Sequence, residues 1–432
     1  MRRSARSRRL GLLCAGTLVA ALAVALTVQQ GSTAATSAIQ SPRGSTAITP
    51  AKGTAVKKAF FGMHSPTLIA GFPDVPAGSV DLMTDGVYWP DLETSPGVFD
   101  FTRLTSLVEQ AESNGARPLL ILGQTPDFHL ASGATPAGWA SVPDLAAWKA
   151  YVSAVVAQFG ARLDYQVWPE PNVRPNWVGT PQQMAGLVAA AATIIHQAAP
   201  TALVVAPGMV LRLRYERVFM KDFFAAKVHR VPVGDYVDAV GVDPYPREDG
   251  GPEDALALIT QAQRILADAH VDAPVWTVEV NYGAHVGSVG TAEHSSWNLQ
   301  TAWVARTYLL SAGVGVRRVF WLGWSRFQNL DIQMVDTDMV TPTPAAAGYA
   351  RVAGWLTGQR ARGCFYAADR DLYSCAFVRD GRTSWAYWTG SGAAHVAAPT
   401  GAREVVKATG QASLTTPGQR VRVTPVPVWV TH

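Results

Sequence analysis

The chain is expected to fold as a (β/α)8 barrel followed by a small β-sandwich, and three features lead to that expectation. Eight short apolar runs alternate with helical patterns between residues 58 and 358. Several of these runs are continuously apolar, as parallel strands covered on both faces must be. From about residue 359 the texture changes to the apolar–polar alternation of antiparallel strands.

The expected barrel strands are AFFGM (59–63), LMTDGVYW (82–89), RPLLILG (117–123), LDYQVW (163–168), ALVVAPG (202–208), YVDAVGV (236–242), PVWTVEV (274–280) and RRVFWLGW (317–324). Between them, DLAAWKAYVSAVVAQFG (144–160) repeats apolar residues at three- and four-residue steps and ends on glycine. TPQQMAGLVAAAATIIHQAAP (180–200) opens with a threonine cap and a proline at the first helical position. PEDALALITQAQRILADAH (252–270) and the segment from Thr291 to Ala312 read as further helices. An open doubly wound sheet would want a glycine-rich phosphate turn after its first strand, and FFGMHSPTL has none. Residues 359–432, with RDG at a hairpin turn and QRVRVTPVPVWVTH at the end, read as the β-sandwich.

The N-terminus reads differently. Arg2, Arg3, Arg6, Arg8 and Arg9 precede an apolar run and then the small, polar GSTAATSA, the order of a secretory signal, assigned here to residues 1–38. An uncleaved anchor is the competing reading, because the apolar run is about long enough to span a bilayer. Residues 39–57 read as a flexible lead-in. Without those five arginines the net charge of +4 becomes −1, so the rest of the chain has no need of a polyanion and nucleic acid is not an expected partner. With 48% hydrophobic and 16% charged residues, disorder is excluded as the main theme. Beyond Cys14 only Cys364 and Cys375 occur; in an exported chain this pair suits a disulfide across a hairpin. No HxH or HExxH spacing is present, so neither a metal nor another cofactor is expected.

In such barrels the chemistry sits at the carboxyl ends of the strands. YQVWPEPNVRPNW (165–177) places Glu170 between two prolines at the end of the fourth strand. Glu279 ends the seventh, in WTVEVNYG, and Asp243 the sixth, in GVDPYP. Strands four and seven lie across the barrel mouth, so their acids can converge, and two convergent carboxyls are what glycoside hydrolysis requires. Each has a plainer reading: Glu170 as a loop acid, Glu279 as one polar residue of an alternating strand, Asp243 as a turn cap and Asn172 as a loop anchor. The aromatics Trp89, Phe128, Trp177, Tyr282, Trp321 and Trp324 fall near expected strand exits, where rings suit sugar faces or fill core. His64 and His129 read as structural, and Arg212, Arg214 and Arg217 as a solvated helix face.

A strand-four motif ending Glu-Pro-Asn paired with a strand-seven Glu resembles clan A of the retaining glycoside hydrolases. GVYWPDLETSPGVFDF (86–101), LLILGQTPDF (119–128), DAVGVDPYP (238–246) and ARTYLLSAGVGVRRVFWLGW (305–324) are similar to segments of glycoside hydrolase family 39 and its relatives. The resemblance covers roughly residues 58–358. It implies Glu170 as acid/base, Glu279 as nucleophile, Tyr245 as hydrogen-bond partner of the nucleophile and Trp321 as the aromatic floor. Trp89, Asn172 and Asp243 are the remaining substrate-binding candidates. Pro169 stands where the clan usually has Asn, Asp243 where it has His, and Thr84 where it has Arg. The expected partner is an oligosaccharide or cell-wall polysaccharide. The alternatives are a non-catalytic carbohydrate-binding protein on the same scaffold, or an inert cell-surface module.

Overall fold

A computed structural model of the chain describes residues 44–49, 54–65, 68, 71–83, 85–134, 136–283, 296–326 and 329–432. The expected signal segment and Thr84 lie outside these residues, as do parts of the lead-in.

Eight parallel strands close a barrel: β1 (Phe61–His64), β2 (Ser79–Asp81), β3 (Arg117–Leu122), β4 (Asp164–Val167), β5 (Val204–Ala206), β6 (Ala239–Val242), β7 (Val275–Val280) and β8 (Val319–Leu322). β8 returns to β1 in register, with Trp321 opposite Met63. Around them run α1 (Thr102–Ser113), α2 (Leu145–Phe159), α3 (Pro181–Ala198), α4 (Arg214–Ala225), α5 (Pro252–Asp268), α6 (Trp297–Val314) and α7 (Pro344–Leu356). The caps are those the sequence spells. Asp144 accepts from the amides of Ala146 and Ala147, and Thr180 exchanges cap bonds with Gln183 ahead of Pro181.

The second strand departs from expectation. LMTDGVYW (82–89) is not extended throughout: Gly86 takes a φ of 68° and Trp89 opens a short helical turn, Trp89–Leu92. The strand is Ser79–Asp81, so Asp81 is the acid at its exit. The lead-in also differs. Thr46–Ala47 pairs antiparallel with Phe365 and Tyr366, and Ala55 bridges Arg360, because an open sheet edge offers unpaired backbone groups.

Leu119, Val205, Ala239, Trp276, Val278 and Phe320 fill the barrel interior. At its amino-terminal end Asp164, 1% exposed, accepts from Arg117 at 2.6 Å and from Arg318 at 2.7 Å, and the Arg318 guanidinium lies 4.0 Å from the Trp276 ring centroid. A buried carboxylate is tolerable there because both oxygens meet cations.

The C-terminal region forms a seven-stranded antiparallel sheet and a two-stranded one. Its strands are β9 (Arg360–Ala367), β10 (Leu372–Arg379), β11 (Arg382–Thr389), β12 (Ala394–Ala397), β13 (Glu404–Lys407), β14 (Ala412–Leu414), β15 (Arg420–Val423) and β16 (Val428–Thr431). The larger sheet runs in the order Thr46–Ala47, β9, β10, β11, β16, β13, β14, and β12 pairs with β15. Val396, Val421, Val423, Val428 and Val430 lie between the two sheets. The other face of the large sheet packs on α6 and α7, where Phe377 and Trp429 join the barrel's outer core. Cys364 and Cys375 face each other across β9 and β10 and are bonded. From α6, Arg306 donates to the carbonyls of Thr389 and Pro425, and Trp388 donates to Glu253 at the start of α5.

Gly313 shows how close this packing is: a Cβ there would come within 2.5 Å of the Cys364 sulfur. Gly186 in α3 has nothing within 4 Å of that position. Gly186→Ala is therefore expected to raise the melting temperature, by about 1 kcal/mol of stability, whereas Gly313→Ala lowers it. Thermal melts of the two variants check this, and equal effects would refute the packing argument.

Candidate active site

Past β4 the chain turns sharply. Trp168 and Glu170 both have positive φ, 65° and 40°, a region that costs a non-glycine residue conformational energy. Surrounding contacts impose the turn. The Trp168 ring is fully buried and packs edge-on against Trp177 at 4.9 Å, and its Nε1 donates to the Asn176 carbonyl at 2.9 Å. Asn172 Nδ2 donates to the carbonyls of Val210 (2.6 Å) and Glu216 (3.2 Å), and its Oδ1 accepts from the Val210 amide at 3.2 Å. Flanked by two prolines and anchored on both sides, Glu170 faces into a cavity of about 490 Å3 at the carboxyl end of the barrel.

Glu279 reaches the same cavity from β7. Trp276 and Val278 point to the barrel interior, so strict alternation would aim Glu279 at the helices. The β7–β8 register shifts between Thr277 and Val280, and that irregularity frees Glu279 from the alternation. Tyr245, from the loop after β6, donates its hydroxyl to Glu279 Oε2 at 3.0 Å and lines the cavity beside it.

Asp243 lies buried under this pair. It accepts from the Glu279 amide, its Oδ1 has no hydrogen-bond partner, and Gly208 is needed because a Cβ would stand 2.5 Å from its Oδ2. Burial first, then the charges of Glu279 and Glu170, holds the Asp243 carboxyl well above the usual range. Glu170 is pushed up to about 7 by burial and then by Glu216, against the Asn176 amide (3.3 Å) and the charge of Arg212. Glu279 is raised by burial and then by Glu170, with the Tyr245 hydroxyl acting the other way. Burial likewise raises Asp81 to about 7, although its Oδ1 accepts from the Met83 amide at 2.7 Å. His64 is lowered to about 4 by burial; its Nε2 lies 2.6 Å from the Met83 carbonyl, which can only accept, so Nε2 carries the proton.

Four expected substrate contacts lie outside the cavity lining. Trp89 is fully buried, stacked on Tyr151 at 4.7 Å and bonded through Nε1 to Glu93, so it is core beneath the second-strand exit. Trp321 points outward from β8 to stack on Tyr308 of α6 at 6.4 Å; the alternation that buries it turns Leu322 into the cavity instead. Asn172 spends its amide on backbone groups and does not line the cavity. Asp243 also lies below the lining, and Tyr282 is a buried partner of Thr307. Conversely, His64, Met83, Arg212, Tyr215, Glu216 and Leu322 line the cavity without having been expected there. Arg212 is half-buried, not part of a solvated face. Glu216 carried a signal that could have been used: an acid in the first turn of the helix after β5.

With Glu170 at about 7 in place of the ordinary 4.5, the folded chain holds that proton more tightly than the unfolded chain does. The resulting stability is complete below the unfolded value and is lost as pH rises through 7. Glu170→Gln is accordingly expected to raise the melting temperature relative to the parent at pH 8 and to leave it nearly unchanged at pH 5. Melts at the two pH values test the sign.

No protein-family model matches the sequence, and no curated protein matches it. Solved structures do resemble it. A family 39 glycoside hydrolase from Bacteroides cellulosilyticus WH2 superposes with a TM-score of 0.66 at 16% identity, covering 87% of this chain and 81% of that one. A conserved exported protein from Bacteroides fragilis gives 0.61 at 11% identity, covering 89% and 98%. A GH30 endoxylanase from Clostridium papyrosolvens C71 gives 0.60 at 14% identity, covering 88% and 98%. At these identities the likeness concerns architecture: this chain has the (β/α)8 barrel fold found in family 39 and family 30 glycoside hydrolases.

Proposed function

We propose that the protein is a retaining glycoside hydrolase, with Glu279 as nucleophile and Glu170 as acid/base. One observation carries the reading: two half-buried carboxyls, one past the end of β4 and one on β7, line one cavity, and the charge of Glu170 raises the proton affinity of Glu279. Glu170 retains a proton near neutral pH and is positioned to give it to the leaving oxygen. Glu279 is the member of the pair with a hydroxyl donor, from Tyr245, and burial holds the carboxyl of Asp243 beneath it well above the usual range. The reading puts the attacking negative charge on Glu279, whose carboxylate form the Tyr245 hydroxyl favours. Glu279 attacks the anomeric carbon as the leaving group departs with the Glu170 proton. Water then attacks the glycosyl-enzyme, giving its proton to Glu170 and releasing Glu279.

The fold shared with glycoside hydrolases supports this assignment, and an oligosaccharide or cell-wall polysaccharide is the proposed substrate. Export is proposed from the arginine-led apolar N-terminus together with the disulfide. Among the described residues no helix is long and apolar enough to cross a membrane.

On a panel of activated aryl pyranosides and furanosides, Glu279→Ala is expected to fall to background. Glu170→Ala should lose about 10²–10⁴-fold, less where the leaving group needs no proton. Full turnover by both variants would end the proposal; saccharide binding without any release of sugar by the parent protein would replace it with a carbohydrate-binding role. Tyr245→Phe should lower kcat and shift the acidic limb of the pH profile upward, because Glu279 loses the donor that favours its charge. A profile identical to the parent's would remove Tyr245 from the mechanism.

A further inference from the structure

We propose that Glu216 is a positioning residue for proton transfer: its carboxylate, fixed in the first turn of α4 and facing the cavity it shares with Glu170, sets how tightly Glu170 holds its proton. The charge interaction rests on the cavity the two acids share and on the Asn172 link between their segments. Its kinetic consequence rests on the reading of Glu170 as acid/base.

Glu216 is 2% exposed and lines the cavity. Its Oε2 accepts from the Leu213 amide at 2.6 Å, across the mouth of α4. The spacing between the two acids is held by backbone. Asn172, two residues beyond Glu170, donates to the Glu216 carbonyl and is bonded twice more to Val210. These bonds hold the Glu170 turn against the start of α4.

A helix cap does not require this charge. Glutamine closes the same bond to the Leu213 amide, so a glutamate buried beside a second carboxyl pays an electrostatic penalty that the cap does not need. The amino end of α4 favours a negative side chain at this position, beside the titrating Glu170. Other groups face Glu170 as well: the Asn176 amide from its own loop, Arg212 from the loop before α4, Asp243 and Tyr245 after β6, and Glu279 on β7. After burial itself, Glu216 is the strongest influence raising Glu170, and Arg212 opposes it.

The test is a carbon-13 NMR titration of glutamate-labelled protein, with Glu170→Gln identifying the Glu170 resonance. Glu216→Gln, which keeps the cap, should lower the Glu170 titration by about one pH unit. Arg212→Gln should raise it, a pair of opposite signs that general loosening of the fold cannot produce. Glu216→Asp, which withdraws the charge by one methylene, gives a smaller downward shift and serves if the glutamine variant does not fold. In kinetics the alkaline limb of kcat/KM moves with the NMR value. An unmoved Glu170 titration in the Glu216 variants, or shifts of one sign in both the Glu216 and Arg212 variants, overturns the proposal. The NMR shift without any glycoside turnover in the parent keeps the proposal and rejects the glycosidase reading instead.

Discussion

Carboxyl groups gathered at one end of a barrel are what the rest of this structure has to support. Asp81, Glu170, Asp243 and Glu279 all sit at the carboxyl end of one barrel with their proton affinities raised, and Glu216 faces the same cavity. Left to relax, such groups would separate or take up water. They stay together because each hangs from a strand end or an anchored turn. The opposite end of the barrel has the reverse arrangement. Asp164 there meets two arginines, one on each carboxylate oxygen, and the geometry serves stability.

The C-terminal sheet belongs to the same support. It covers α6, which is buried on nearly all sides, and draws Arg306 and Glu253 into its bonding. Glu253 begins the helix that follows the Tyr245 loop, so the wall that presents the phenol to Glu279 is braced from outside the barrel. The disulfide joins β10 to β9, whose Cys364 packs against Gly313.

The polar lining departs from the clan pattern more than the scaffold does. Pro169 stands where the clan that the sequence resembles has an amide, and it also helps fix the turn that holds Glu170 at positive φ. Leu322 stands where an aromatic floor was expected, and Met83 and Leu330 share the apolar wall with it. Among the described residues the lining offers the carboxyls of Glu170, Glu216 and Glu279, two tyrosines and aliphatic side chains.

Much of this was legible from residue order alone. The apolar runs and cap residues named the barrel, and placing Glu170 and Glu279 at strand ends named the pair, because strand periodicity and helix capping are local properties. The cysteine pair was legible for the same reason. Side-chain direction was not. Whether Trp321 or Leu322 enters the cavity depends on which face of β8 meets α6, and whether Glu279 turns inward depends on a register shift between β7 and β8. Asp81 emerged only when the second strand proved to end before Leu82, and Glu216 only when Asn172 tied its helix to the Glu170 turn. Sequence determines which groups stand at the ends of which elements; contacts between elements far apart in the chain decide which of them face one another.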